Sequence, residues 1–288
     1  GGGSHEYDAM YSSAMTGTKL ADFYRCRQST WIPLIVNRAL KPLDTPAMVE
    51  AGLDVTDADC FHQQFTKLSE FTLDGETHIW ALDVSGKYFN MSFGHTYAVN
   101  KTLLTAEGYN MDEIFAKVYA MEWTYDYMIE IAEKVTKDLN VDGVMDENDQ
   151  WGVALDCDGN EIWTNGTGPI IYDTTTKTYK ANATDQNVLT ALEYMAKLNQ
   201  NGKVSPTLLG EATMGRGGRR TLFYTGHAAF AGLYGPNFGK DGDTNGTANM
   251  TDDAGLLPIP KGPNSTHYTM NFVDNDIFVM LISVGTDW

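Results

Sequence analysis

The sequence predicts an α/β protein, and three observations carry that prediction. Segments with helical periodicity alternate with short apolar, strand-like segments along the chain. The 288 residues are enough for about two domains at ~150 residues each. Hydrophobic residues make up 42% and aromatics 11%, enough for a sizeable core and too many for a disordered chain.

The elements follow in order. Tyr7–Met10 reads as a short strand running into a polar loop, Tyr11-Ser12-Ser13. Phe71–Leu73 and His78–Leu82 read as strands around Asp74-Gly75, a hairpin signal because both turn positions need φ > 0. Tyr88–Tyr97 is a further extended stretch. A helix is predicted over Thr124–Leu139, with Thr124 as its cap and Met128, Ile131, Ala132, Val135 and Leu139 on one apolar face. A second helix runs from about Asp185 to Asn201, with Val188, Leu189, Leu192, Met195 and Leu198 as its stripe and Gly202 as its stop. Trp151–Leu155, His227–Leu233 and Gly255–Ile259 are strand-like, and Ile277–Ile282 reads as a buried strand. Lys240–Asp253 is polar and glycine-rich and reads as a long exposed loop. No repeat of solenoid or propeller period is present.

Charge narrows the partners. Basic residues number 20 and acidic residues 38, so the net charge is 20 − 38 = −18. Nucleic acids and anionic membrane surfaces need a surplus of Lys and Arg, so both are disfavoured. No run approaches the ~20 apolar residues of a membrane span. No secretion signal stands at the start, which opens on Gly1-Gly2-Gly3-Ser4. Cys26, Cys60 and Cys157 are odd in number and widely spaced, so they form no disulfide framework, although one bridge with one free thiol stays open.

Motifs of catalysis are missing. The sequence holds no H-E-x-x-H, G-x-S-x-G or G-x-x-x-x-G-K-[ST]. Gly215-Arg216-Gly217-Gly218-Arg219-Arg220 is basic and glycine-rich but lacks the strand–turn–helix setting of a phosphate cradle, so it reads as a solvated loop. With 38 acids, any glycosidase-style carboxylate pair picked from sequence would be chance.

The sharpest motif runs from Asp138 to Asp149. It fits the twelve-residue calcium loop D-x-[DN]-x-[DN]-G closed by an acid. A hard cation takes six to eight oxygens. Asp138, Asn140 and Asp142 would supply the first, Gly143 the sharp turn, Val144 a backbone carbonyl, Asp146 a water-mediated contact and Asp149 the closing carboxylate. A helix ending at Asp138 would aim its negative dipole end at the ion. The closing residue is Asp rather than Glu, and a strand-like segment replaces the outgoing helix of an EF-hand. The expectation is a structural Ca2+ clip, against the alternative of a solvated acidic turn.

Taken in order, several segments resemble the extracellular solute-binding proteins of family 1, the substrate-capturing components of ABC importers. They are Glu6–Tyr11; Phe71–Leu82, similar to F-x-x-D-G-K-x-Y-G-L-P; Tyr97–Leu104 with Gly108; and Trp123-Thr124 followed by the aspartate loop and Asn148–Gly152. Thr225–Phe230 with Gly235-Pro236, and Gly255–Pro263, similar to G-x-x-P-x-P-K-G-P, complete the set. The family begins with a β–α–β unit and continues beyond the point where this chain stops, so a chain truncated at both ends is expected.

The resemblance implies a two-lobed, type II periplasmic-binding-protein-like architecture that closes on solute by a hinge. Ser4–Gly94 would be part of lobe 1, His95–Asp276 lobe 2, and Ile277–Trp288 the return to lobe 1. It implies no catalysis, a small-molecule solute, most naturally an oligosaccharide, and an ABC permease as partner. It also implies a monomer that is extracellular, lipid-anchored or periplasmic. Sugar recognition uses aromatic faces against C–H faces and amide or hydroxyl groups on sugar hydroxyls. By resemblance, Tyr11, Ser12 and Ser13 edge the site from lobe 1, with Trp163, Tyr234, Asn165 and Asn237 from lobe 2. Trp and Tyr serve equally as core anchors. Asn237 stands where sugar binders often carry an aromatic. The alternatives are a secreted carbohydrate-active enzyme and a calcium-stabilised surface interaction module.

Overall fold

The computed structural model describes residues 3–83, 95–155, 159–199, 204–206, 216–233, 246–269 and 277–280. In chain order the elements begin with α1 (Gly3–Thr16), β1 (Tyr24–Cys26), α2 (Gln28–Val36), α3 (Pro46–Glu50), α4 (Gln63–Leu68), β2 (Glu70–Leu73) and β3 (Glu76–Ile79). They continue with β4 (Thr96–Asn100), α5 (Lys101–Ala106), α6 (Met111–Tyr119), α7 (Tyr125–Val135), β5 (Trp151–Ala154) and α8 (Asn160–Trp163). The last are β6 (Ile170–Asp173), β7 (Thr178–Ala181), α9 (Gln186–Asn199), α10 (Arg216–Tyr224), β8 (Ala228–Leu233), β9 (Ala254–Leu257) and β10 (Ile277–Val279). The mixed order bears out the α/β prediction. The chain divides into two compact units, one of Gly1–Met91, Tyr172–Thr178 and Val273–Trp288, the other of Ser92–Ile171 and Tyr179–Phe272.

In the first unit, α1 and α2 pack together, and β1 pairs antiparallel with β10 with Tyr24 opposite Val279. Met10, Ala14, Trp31, Leu34, Ile35 and Trp80 form its main core. The predicted strand at Tyr7–Met10 and the loop at Tyr11–Ser13 are instead the middle of α1. Met10, Ser13 and Ala14 are buried at helical spacing, and Tyr7 stacks on Tyr11 one turn later with ring centroids 5.7 Å apart. That period, rather than the local Tyr-rich composition, decides the element. The Asp74-Gly75 hairpin forms where predicted, with its second strand at Glu76–Ile79 rather than His78–Leu82: β2 and β3 pair with Leu73 opposite Glu76, and both turn residues have positive φ, 54° and 83°.

The second unit is built on a four-stranded sheet in the order β5-β8-β4-β9. β4 runs antiparallel to β8 and β9, and β5 runs parallel to β8. Every residue of β4, β5 and β8 is buried, so both faces of the sheet are covered and these strands read as near-continuous apolar runs. Tyr97, Val99 and Phe230 share a core with α7 and α9, whereas Ala98, Ala231 and Leu233 pack with Leu222 and Phe223 of α10.

Three predictions need correction here. First, α7 is capped by Thr124 and buries Met128, Ile131, Ala132 and Val135 as expected, but it ends at Val135, and Leu139 is exposed. Thr136 turns extended, and Lys137 pairs backbone to backbone with Gln150, which outcompetes another helical turn. Second, the buried face of α9 is Val188, Ala191, Tyr194 and Leu198, while Leu189 and Leu192 are exposed. Small Ala191 lets the helix lie close, and aromatic Tyr194 fills the gap. Third, residues 216–220 of the arginine–glycine segment lie in α10 rather than a loop, because burying Leu222 and Phe223 outweighs the poor helix propensity of Gly217 and Gly218; Gly215 lies outside the described residues.

Tyr88–Gly94, the Gly202 stop, Lys240–Asn245, Cys157 and Leu281-Ile282 lie outside the described residues. Cys26 is buried and Cys60 is exposed. No described helix is long and apolar enough to cross a membrane.

Candidate functional site

The short helix α8 begins at Gly159, whose φ of 80° lets the chain reverse into the turn. From Asn160 to Asn165 every residue except one is at most 8% exposed; Trp163 is 38% exposed. The segment therefore presents a single indole outward from a fixed base.

That base is a hydrogen-bonded network. The Tyr97 hydroxyl donates to Glu161 Oε1 at 2.9 Å, deep in the core. The Glu161 carbonyl accepts from the Tyr125 hydroxyl and, at 2.9 Å, from the Thr164 hydroxyl. Tyr125 stacks face to face on Tyr194 with ring centroids 3.9 Å apart. Burial is the main cause that pushes the Tyr125 phenol far above its ordinary value, with the Thr164 hydrogen bond opposing it. It therefore stays a protonated donor at any physiological pH. Sequence reasoning did not single out Glu161, Tyr97 or Tyr125. A carboxylate set directly before an Ile-Trp pair was the one available signal for Glu161.

Asn165 is fully buried, and its side chain is engaged within its own unit. Its Nδ2 donates to the Asn187 carbonyl at 2.8 Å, and its Oδ1 accepts from the Asn264 N–H at 3.1 Å. Gly262 lies so close that a Cβ there would stand 2.1 Å from Asn165 Oδ1. The amide thus ties α9 and the 262–265 turn to the end of α8.

In the first unit, Tyr11, Ser12 and Ser13 sit on α1 rather than on a loop. Tyr11 is half-buried against Tyr7, Ser12 is exposed, and Ser13 is buried with its hydroxyl donating to the Thr18 carbonyl at 2.7 Å. Ser13 therefore faces inward. Tyr234 and Asn237 lie outside the described residues.

The acidic loop folds as a series of side chain-to-backbone turns. Asp138 accepts from the N–H of Val141 at 2.6 Å and of Gly143 at 2.8 Å. Asn140 accepts from Asp142, Asp142 from Val144, and Asp146 from Asn148. Asp149 is fully buried and accepts from Leu139 at 2.9 Å and Asp146 at 2.7 Å. Gly143 takes the left-handed conformation at φ 83° that its slot requires. Because α7 ends before Asp138, its dipole end does not lie at the loop as expected. Instead, Lys137 and Gln150 close the neck of the loop, and both donate to the carboxylate of Glu107. The Lys137 hydrogen bond first, then that of Gln150, holds Glu107 below the usual carboxylate range. Among the described residues no three His, Cys, Asp or Glu side chains are gathered as a metal shell.

By sequence, no protein-family model and no curated protein matches the chain. By structure it is similar to the maltose/maltodextrin-binding domain MalE of Bdellovibrio bacteriovorus bound to maltotriose, with TM-score 0.61 and 16% identity. The fold is that of ABC-transporter solute-binding proteins. The match covers 97% of this chain and 61% of that one. Lmo0181 of Listeria monocytogenes, an ABC substrate-binding protein in complex with cycloalternan, gives TM-score 0.61 at 15% identity over 96% of this chain and 61% of its own. UgpB of Mycobacterium tuberculosis, in complex with glycerophosphocholine, gives 0.56 at 16% identity over 97% and 60%. This chain therefore spans about three fifths of the length of the proteins whose fold it shares.

Proposed function

We propose that the protein captures a carbohydrate outside the cytoplasm and hands it, unchanged, to an ABC permease in the membrane. The observation that carries this reading is Trp163, the one exposed residue of an otherwise buried and hydrogen-bonded segment. An indole held on so rigid a base suits the C–H face of a pyranose, a flat apolar surface that the ring can cover without first being ordered. The fold adds support, since proteins that share it have been seen with maltotriose and cycloalternan bound. Lipid anchoring at the cell surface would keep such a receptor beside its permease.

The test is a calorimetric titration of the purified protein with maltotriose and a panel of larger oligosaccharides, with chromatography of the sugar afterwards. Saturable binding without new products is expected, and Trp163→Ala should weaken it about tenfold, equivalent to ~1.4 kcal/mol. Cleavage of the sugar would favour the secreted enzyme. No binding to any member of the panel would refute the reading.

We also propose that the Asp138–Asp149 loop takes up Ca2+ as a structural clip. Five carboxylates lie within it, four of them aspartates at ligand positions of the motif, and each oxygen that accepts a backbone N–H keeps a second lone pair for a cation. The side chains are turned to the loop's own N–H groups, so the ion would have to draw them together. Added Ca2+ should raise the melting temperature, and Asp142→Ala should abolish the rise. An unchanged melting temperature on adding Ca2+ to chelator-treated protein would refute it.

A further inference from the structure

The position of the Trp163 indole depends on a residue that carries no side chain. A Cβ built on Gly168 would stand 2.3 Å from Cζ3 and 2.5 Å from Cη2 of the Trp163 ring. Carbon atoms in contact sit ~3.5–4.0 Å apart, so even a methyl group cannot coexist with the ring where it lies. Gly168 is not among the glycines with positive φ, so the backbone does not demand glycine there; the indole does.

Nor is the segment free to retreat. Asn182 Nδ2 donates to Thr167 Oγ1 at 2.9 Å and to the Gly168 carbonyl at 3.1 Å, and the Asn182 N–H donates to the Pro169 carbonyl at 2.8 Å. Asn182 lies just ahead of α9, whose Val188 and Ala191 pack on Ile162, the residue before Trp163. The indole is thus held between its own turn and a strap fastened from the α9 side.

We propose that Gly168, fastened by Asn182, is a positioning residue that fixes the plane in which the Trp163 indole meets the solute. This rests on the solute-binding reading. It further assigns the recognised feature, a flat ring face that must lie parallel to an indole of set orientation. A flexible polyol would gain less from such a platform, because it would have to be ordered on it.

The experiment is a double-mutant cycle on the whole chain, read by calorimetric titration with maltotriose and by near-ultraviolet circular dichroism. Gly168→Ala should weaken binding tenfold or more and change the tryptophan dichroism. In a Trp163→Phe background, which lacks the atoms that Gly168 faces, the same substitution should cost less than twofold. Asn182→Ala, which adds no atoms, should weaken binding severalfold in the wild-type background, so the inference survives if Gly168→Ala fails to fold. Equal losses in both backgrounds would mean general damage and overturn the proposal. Binding and dichroism left unchanged by Gly168→Ala would overturn it while leaving the solute reading intact. No binding by the wild-type protein would overturn both.

Discussion

Replacing Asn165 by Ala separates a residue that holds the site from one that touches the solute. The substitution removes a donor from the half-buried Asn187 carbonyl, 2.8 Å away, and an acceptor from the Asn264 N–H, 3.1 Å away. Each bond is worth ~1 kcal/mol net, and a buried group left unpaired costs ~1–3 kcal/mol. Asn264 lies nearer solvent and can recruit water, so the expected loss is ~2–4 kcal/mol. For a unit of this size ~1 kcal/mol moves the melting temperature by about 2–4 °C, so a loss near the middle of that range lowers it by about 6–12 °C. Urea unfolding and calorimetry measure the stability, and a maltotriose titration below the new melting temperature measures affinity. Asn165→Asp should be no better than Ala, since it sets a negative oxygen against the Asn187 carbonyl. A protein with stability within ~0.5 kcal/mol of wild type but with lost affinity would refute the reasoning and return Asn165 to the solute.

Three further outcomes are expected. Gly152→Ala should destabilise by ~3 kcal/mol or more, since its Cβ would lie 2.4 Å from the Ala132 carbonyl oxygen in the backbone of α7; urea unfolding checks this. Glu107 is held below its ordinary value by Lys137 and Gln150, so its stabilisation is present above its unfolded value of ~4.3 and is lost as the pH falls through the lower, folded one. Glu107→Gln should flatten the acid limb of stability against pH in that window, while leaving a plateau at neutral pH, seen by denaturant melts across a pH series. Thr124→Ala should cost ~1 kcal/mol through loss of the α7 cap, whose hydroxyl accepts from the Tyr127 N–H, and helical dichroism with a melting curve measures it.

Legibility from sequence followed how local the deciding physics is. The start of α7 was readable because Thr124 and the apolar period lie within one stretch of chain, and the Asp74-Gly75 hairpin because its turn needs only two residues with positive φ. The end of α7 was not, because Lys137 is claimed by Gln150 across the loop. In α9 every Leu looked like core, yet the face packed on α8 and α7 accepted Ala191 and Tyr194, a choice made by shape. At the site, Trp163 was legible as an aromatic of the right kind. Asn165 looked like a polar partner for a solute, and only burial marks it as an internal tie.

The sequence by itself determined the alternation of elements, the acidity, the aspartate loop and the presence of candidate aromatics, because each depends on residue type and near neighbours. Tertiary structure alone decided that α1 is a helix, that Glu161 sits buried on Tyr97, and that Gly168 faces the Trp163 ring. Those facts depend on which distant segments arrive at the same place. Close packing turns such arrivals into constraints, since at interior density a single added methyl group must displace something.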